Sequence, residues 1–447
     1  MKDRHLRLPH PLILLLGAVI VAALLTWVLP AGEYVRREDP VTHRSVVVAG
    51  TYHAVTPAPV GAFAAAVSIP RGFIEGADVI AVVLFVGGAW VVVDRLGTLG
   101  RLVGVLVASF RRRGLLAIPV IALFFAIMGA LENMQEEIIP LVPVLLVLGR
   151  GLGIDAVSVV AMSAGAAMIG SAFGPTNPFQ AGIAMKLAQL PAASAGGLRL
   201  AMFIVAYLLW VAWTLRYAAK TRTSIPAPMD GGVAERVSPK DVLILLIVIS
   251  PMAAYVYGSL ALGWGLNELS AGFLVGGIVA GLLGGLGAEG TTLTYLEGMQ
   301  SLLPAAMLIG VARSISLVLA DGHVIDTILQ RLATPLSHAP PSAAALLMIP
   351  VQGIIHVLVP SVSGQAVLTM PVFVPLSDLL GVSRQVTVLA YQMGAGLMEL
   401  LTPTNGALMA VLLAAGVAYQ KWIRFAAVGA GIVVLVGVAG MNIAARL

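Results

Sequence analysis

Three glutamates within six residues, Glu132, Glu136 and Glu137, interrupt an otherwise apolar stretch from Leu115 to Gly151. A carboxylate at the centre of a membrane helix costs on the order of 2.5–3.5 kcal/mol, so acidic groups at that depth bind a cation, carry a proton or hold an amino group. A shallow, wet tip with solvated or helix-capping carboxylates is the plainer reading. Pro175-Thr176-Asn177 and Pro403-Thr404-Asn405 interrupt two further apolar stretches. Proline removes a backbone donor and bars a straight helix. In hydrocarbon the freed carbonyls are costly unless they line a cavity or meet a ligand. Thr176, Asn177, Thr404 and Asn405 add oxygens there, a set suited to a hard cation such as Na⁺.

A second polar tip is Ser361, Val362, Ser363, Gly364 and Gln365. The tips at 361–365 and 133–137, the latter with Asn133, place helix N-termini toward the middle, where free N–H groups favour a carboxylate. Glu399 stands just before the second break and could select a cationic group. His356 could carry a proton near neutral pH, although a hydrogen-bonded interior histidine is the plainer reading. Glu132, His356 and Glu399 are thus candidates for coupling or selectivity. Arg313 reads as a structural partner for a hairpin carboxylate. Gln352, Tyr391 and Gln392 are candidate hydrogen-bonders.

Of 447 residues, 59% are hydrophobic and 11% charged. Soluble domains carry about 25% charged residues. Runs such as Pro11–Trp27 and Ala77–Val93 are long enough, or nearly so, to cross roughly 30 Å of hydrocarbon. Barrel strands would alternate apolar and polar residues. Lipid therefore leaves an all-α polytopic fold. Lys2, Arg4 and Arg7 precede the first run, which lacks a clear cleavage site and reads as a retained helix. The absence of cysteine excludes disulfides and thiol chemistry. The net charge of +5 sits in short loops and is no nucleic-acid signal. Walker A, His-Glu-x-x-His and Gly-x-Ser-x-Gly motifs are absent.

Basic loops at 94–114 and 216–241 belong with the N-terminus on the cytoplasmic side, which puts the C-terminus outside. About nine spans and two re-entrant hairpins follow. The first half, 1–217, holds a surface helix at 98–110, a hairpin at 115–151 and a broken helix at 154–190. A cytoplasmic linker covers 218–240. The second half, 241–447, has spans near 241–258, 268–287 and 302–320 and an amphipathic segment near 324–336. A hairpin at 341–380, a broken helix at 384–416 and a last span near 421–441 complete it. Pro143 aligned with Pro371 carries Gly153 onto Gly381 and Asn177 onto Asn405 without a gap, an offset of 228 (371 − 143). Two halves of one plan with opposite orientation are inverted repeats, the mark of secondary transporters with a midplane site.

Pro360-Ser-Val-Ser-Gly-Gln-Ala-Val-Leu-Thr-Met-Pro371 and Leu376-Ser-Asp-Leu-Leu-Gly-Val-Ser-Arg-Gln385 resemble the YfcC family of the C4-dicarboxylate-carrier-like (DcuC-type) group. Pro30–Tyr34, Gly50–His53 and Gly416–Trp422 fit as well. The chain departs from that pattern at Val362, His356 and Asn405. The resemblance implies a small organic ion as substrate, an elevator-type movement, a homodimer, and a site at Glu136-Glu137, Ser361–Gln365 and the two breaks. The expected function is a secondary transporter or exchanger of a small amino acid, basic ones included, in the bacterial cytoplasmic membrane, with no cofactor beyond Na⁺ or H⁺ as coupling ion. A cation-coupled C4-dicarboxylate carrier is the alternative. A channel, and an intramembrane hydrolase at Ser361 or Ser363, are more remote.

Overall fold

A computed structural model of the chain describes residues 10–40, 42, 44–175, 177–191, 194–222 and 237–446. Among them, eleven helices are long and apolar enough to cross a membrane. Many are apolar all round, with Ile20, Leu24, Phe124, Leu208, Leu246 and Leu435 exposed, as expected where lipid replaces water. The chain is an all-helical, multi-pass membrane protein. Two small strand pairs, Gly32–Glu33 with His53–Ala54 and Arg36–Glu38 with Ser45–Val47, are the exception.

One group of helices packs around Gly287–Asp321, which at 35 residues is about 52 Å long. Ala62–Glu75 and Ala77–Arg95 run antiparallel to it. A Cβ at Gly72 would lie 2.3 Å from the Gly310 carbonyl oxygen, and Gly87 and Gly88 seat Leu302 and Tyr295. Glycine permits this approach because van der Waals packing holds membrane helices together. Pro11–Val28 lies against Gly287–Asp321, and Leu266–Gly284 against Ala77–Arg95. The sequence starts the long helix near 302, fifteen residues late. Thr291 and Thr292 return their hydroxyls to the carbonyls four residues back, at 2.6 and 2.9 Å, so these polar side chains are satisfied within the helix that runs through them. Ala62–Glu75 is a helix that the sequence reading did not anticipate.

The other group holds the two helix–turn–helix pairs and the two broken helices. Ala117–Glu132 is followed across a turn by Val142–Leu152, and Pro341–Leu358 by Val362–Leu379. The surface helices run over Thr98–Phe110 and Ile325–Ala333. Pro239–Ala261 covers the span expected near 241. Gly196–Lys220 and Tyr419–Ala444 pack through Trp210, Trp213, Trp422 and Phe425. Most of the expected linker, 223–236, lies outside the described residues.

Ala117–Glu132 sits almost backbone to backbone on the first broken helix. A Cβ at Gly170 would lie 1.9 Å from the Ala126 carbonyl oxygen, and one at Gly129 2.0 Å from that of Ala167. Overpacking of this kind costs about 1–3 kcal/mol or more. Gly170→Val is therefore expected to lower the unfolding temperature in detergent by several degrees. Gly100→Ala, with open space at its Cβ, serves as the neutral control. Equal melting of the two proteins would refute the packing argument.

Candidate functional site

Asn133 ends the first arm by adopting left-handed backbone at φ 60°, a conformation asparagine tolerates. Met134 and Gln135 lead into the 3₁₀ turn Glu136–Leu141. The return arm, Val142–Leu152, has only 11 residues and rises about 16 Å.

At the first break, Asn177 caps the resumed helix. Its Oδ1 accepts from the N–H groups of Phe179 and Gln180, both at 3.0 Å. Its Nδ2 donates to the Gly129 carbonyl and to Asn133 Oδ1, both at 3.2 Å. Ser171 donates to Asn133 and, at 2.9 Å, to Gln180. Gln392, from the other broken helix, donates to the carbonyls of Ser171 (3.2 Å) and Gly174 (2.8 Å) that the break has freed. Arg199 in turn donates to Gln392 Oε1. Its guanidinium is buried, with no carboxylate paired to it among the described residues.

At the second break, Asn405 Oδ1 accepts from the Leu408 N–H at 3.1 Å. Its Nδ2 donates to Gln135 Oε1 and the Glu399 carbonyl, both at 3.3 Å. Thr404 donates to the Val357 carbonyl at 2.7 Å. Trp422 (2.8 Å) and Tyr419 satisfy the carbonyls of Leu400 and Leu401. The two broken helices cross where a Cβ at Gly396 would lie 2.6 Å from Ala172 Cβ.

The first tip touches both breaks. Asn133 meets Asn177, and two residues later Gln135 meets Asn405. Gln135 Nε2 also donates to Glu399 Oε2 at 2.6 Å, and its N–H donates to Glu137 Oε2 at 3.1 Å. On the other side of Glu399, His356 Nε2 lies 4.0 Å from Oε1. His356 Nδ1 contacts Gln365 Oε1 at 2.9 Å, and Gln365 Nε2 donates to the carbonyl and side-chain oxygens of Gln352, both at 2.8 Å.

Each described residue singled out in the sequence has a definite place. Glu136 is half-buried and lies in the field of Arg313, Asp78 and Glu399. No ion pair of Arg313 with a carboxylate is present among the described residues. Glu137 is buried at the edge of an apolar cavity of about 460 Å³, with Val86, Trp90, Phe124 and Met252. Glu132 is buried with neither carboxylate oxygen hydrogen-bonded. Ser361 caps Val362–Leu379 by accepting from the Gly364 N–H at 3.3 Å. Ser363 and Gly364 lie half-buried in its first turn, and Gln365 is buried. Thr176 lies outside the described residues. Both asparagine oxygens serve as caps, so a Na⁺ ion at the breaks would draw on main-chain carbonyls and hydroxyls. Gln135, Gln180 and Arg199 were not singled out in the sequence. The one legible signal was Arg199, a lone cation at the head of the apolar run Leu200–Leu215.

Polar side chains gathered where membrane helices break, inside a multi-pass bundle, are the architecture of a membrane transport protein. The chain belongs to the C4-dicarboxylate anaerobic carrier (DcuC) family, whose family model matches residues 8–445. It is 29% identical to the Escherichia coli (strain K12) protein YfcC, whose name proposes a basic amino acid antiporter, over 95% of this chain and 94% of that one. It is 25% identical to an uncharacterised Haemophilus influenzae protein over 98% and 96% of the two chains. Among solved structures, it is similar to the YdaH transporter of Alcanivorax borkumensis, with a TM-score of 0.46, 18% identity, and coverage of 97% and 98% of the two chains. It is also similar to MtrF of Neisseria gonorrhoeae, titled as one of a class of antimetabolite efflux pumps, with a TM-score of 0.45, 16% identity, and coverage of 98% and 96%. The family is one of transporters, not enzymes, and no catalytic residue is assigned.

Proposed function

We propose that this protein is a secondary transporter or exchanger of a small amino acid, basic ones included, or a related organic ion, in the bacterial cytoplasmic membrane. The observation that carries this reading is the first tip, which bonds to both breaks through Asn133 and Gln135. Around that junction stand the acidic groups Glu136, Glu137 and Glu399 and the helix N-termini after Asn177, Ser361 and Asn405. Acidic side chains hold an ammonium group and helix N-termini a carboxylate. Together they suit an amphoteric ligand.

The two helix pairs are taken as re-entrant, and the halves 1–217 and 241–447 as inverted repeats joined by 218–240. The short arm Val142–Leu152 supports the first point, being about half the hydrocarbon thickness. Recurrence at the 228-residue offset supports the second. Gly153 and Gly381 both have positive φ. Asp155 and Ser383 both cap their helices. The carbonyls of Gly129 and Val357 both accept from the neighbouring break. Such repeats suit elevator-type movement of one helix group against the other, and we take the unit to be a homodimer, as the resemblance implies. The N-terminus is placed in the cytoplasm and the C-terminus outside. With no native cysteine, Ala49→Cys is expected to react with an impermeant maleimide on intact cells, and Arg222→Cys only after permeabilisation. The reverse pattern would overturn the orientation.

A C4-dicarboxylate is the second reading, favoured by the family description. It requires Glu136 and Glu137 to carry Na⁺ or protons, because a dianion would otherwise meet carboxylates, with Arg313 the cation whose field reaches Glu136. Uptake of labelled arginine, ornithine, aspartate and succinate into proteoliposomes, with and without Na⁺ gradients, proton gradients and internal substrate, separates the readings. Arginine or ornithine uptake supports the first, and succinate uptake alone replaces it with the second.

A further inference from the structure

We infer that His356 and Glu399 form the binding site for a coupling proton, an assignment that rests on the transporter reading above. The polarity of the hydrogen-bond chain between them is set by its two ends. At one end the Gln352 main-chain carbonyl can only accept, so the Gln365 group facing it is the NH₂. Gln365 Oε1 then faces His356 Nδ1, which must carry the ring hydrogen. His356 Nε2 is left as a lone pair, fully buried and without a hydrogen-bond partner. At the other end the Leu408 main-chain N–H can only donate, so it fixes Asn405 Oδ1 as its acceptor. Asn405 Nδ2 then donates to Gln135 Oε1, and Gln135 Nε2 donates to Glu399 Oε2. Every amide in the chain is oriented, and the chain stops at Glu399 Oε1.

Two acceptors, Glu399 Oε1 and His356 Nε2, therefore face each other across 4.0 Å. His356 Nε2 is fully buried, and leaving it there without a donor is costly. A proton supplies the missing donor, and it alone among cations needs no room of its own. It binds one of the two atoms and is shared with the other as a charge-assisted hydrogen bond, which draws the gap toward about 2.8 Å. No covalent bond other than N–H or O–H is made or broken. The pair joins the second hairpin, through His356, to the second broken helix, through Glu399. Gln135 ties the first tip to the same carboxylate, so gain or loss of one proton changes how firmly both hairpins grip the break. The charged and titratable groups around the pair are Glu136 from the first tip, on which Glu137 acts in turn, and Tyr391 on the helix of Glu399. Asp78 and Arg313 act on it through Glu136.

The test uses the full-length protein reconstituted in liposomes, as wild type, His356→Gln and Glu399→Gln, each checked for monodispersity. An infrared titration without substrate, from about pH 5 to pH 9, is expected to show a carboxylic-acid band in the wild type. The component of the band that belongs to Glu399, beside that of other buried carboxyls such as Glu132, should be absent from Glu399→Gln and displaced in His356→Gln. Uptake of arginine and succinate is then compared with and without an imposed pH gradient. The wild type is expected to show at least about tenfold stimulation by the gradient, and both variants a ratio near one. Identical infrared titrations in all three proteins overturn the proton site. Full gradient stimulation in both variants overturns its coupling role. If arginine competes away the carboxylic-acid band at constant pH, Glu399 binds the substrate amine and the assignment is wrong. A wild type that takes up neither solute but shows the infrared pattern leaves the proton site standing and removes arginine and succinate as substrates instead.

Discussion

Gln135→Ala is expected to lower solute uptake about 10- to 100-fold while leaving the protein folded. Among the described residues, Gln135 is the single side chain that bonds to both the acidic group before the second break and the asparagine within it. Hydrogen bonds to charged groups are worth about 1.5–3 kcal/mol, and 1.4 kcal/mol is a factor of ten. Truncation removes one such contact, to Glu399, and one to the neutral Asn405, and leaves Glu399 Oε2 without its donor in a buried site while Asn405 Nδ2 keeps the Glu399 carbonyl. Gln135→Glu is not a rescue. It can still accept from Asn405, but it turns a donor into an acceptor against Glu399. Both variants should retain most of the wild-type melting temperature, because the packing glycines at 129, 170 and 396 are untouched. Initial uptake rates beside thermal unfolding make the measurement. Wild-type uptake by Gln135→Ala would show that the first tip does not organise the site.

Glu136→Gln/Glu137→Gln is expected to abolish amino-acid uptake, with a loss of about 10²- to 10⁴-fold. Breaking a buried charge pair by removing one partner costs about 3–5 kcal/mol, because the other charge is left uncompensated. The substrate ammonium would be one such charge. The two glutamates differ in setting. Glu136 faces the charged groups, whereas Glu137 is buried against the apolar cavity and accepts from the Gln135 N–H. Glu136→Gln alone should therefore account for most of the loss for a cationic solute. Glu137→Gln should act more through the shape of the tip, visible as a change in KM with a smaller change in maximal rate. Undiminished arginine uptake in the double variant would remove the ammonium role. Succinate uptake that persists but no longer responds to a Na⁺ or proton gradient would assign the pair to cation coupling.

Much of the architecture was legible in the sequence because lipid imposes strict rules. Apolar length marks a span, and proline inside it marks a break. The helix pairs around 115–151 and 341–380 and the breaks at Pro175 and Pro403 all follow from those rules. So does the correspondence of Gly153 with Gly381, where a positive φ is needed in both halves. The site was legible only as a list of polar residues in apolar runs. That Gln135 rather than a glutamate joins the first tip to the second break depends on the left-handed turn at Asn133, which sets where the next two side chains point. That Asn177 and Asn405 spend their oxygens on helix caps, and turn their NH₂ groups inward, depends on the first N–H groups of each resumed helix.

The sequence by itself determined an all-helical membrane protein with two interrupted helices and two polar-tipped turns, because burial in hydrocarbon leaves the backbone no other way to satisfy its hydrogen bonds. Only the tertiary structure decided which polar groups meet. Gln135 and Glu399, and likewise Arg199 and Gln392, are about 200 or more residues apart along the chain. No local periodicity encodes such pairings, which arise from helices crossing at glycines such as Gly170 and Gly396, where the absence of a side chain lets two backbones close to contact.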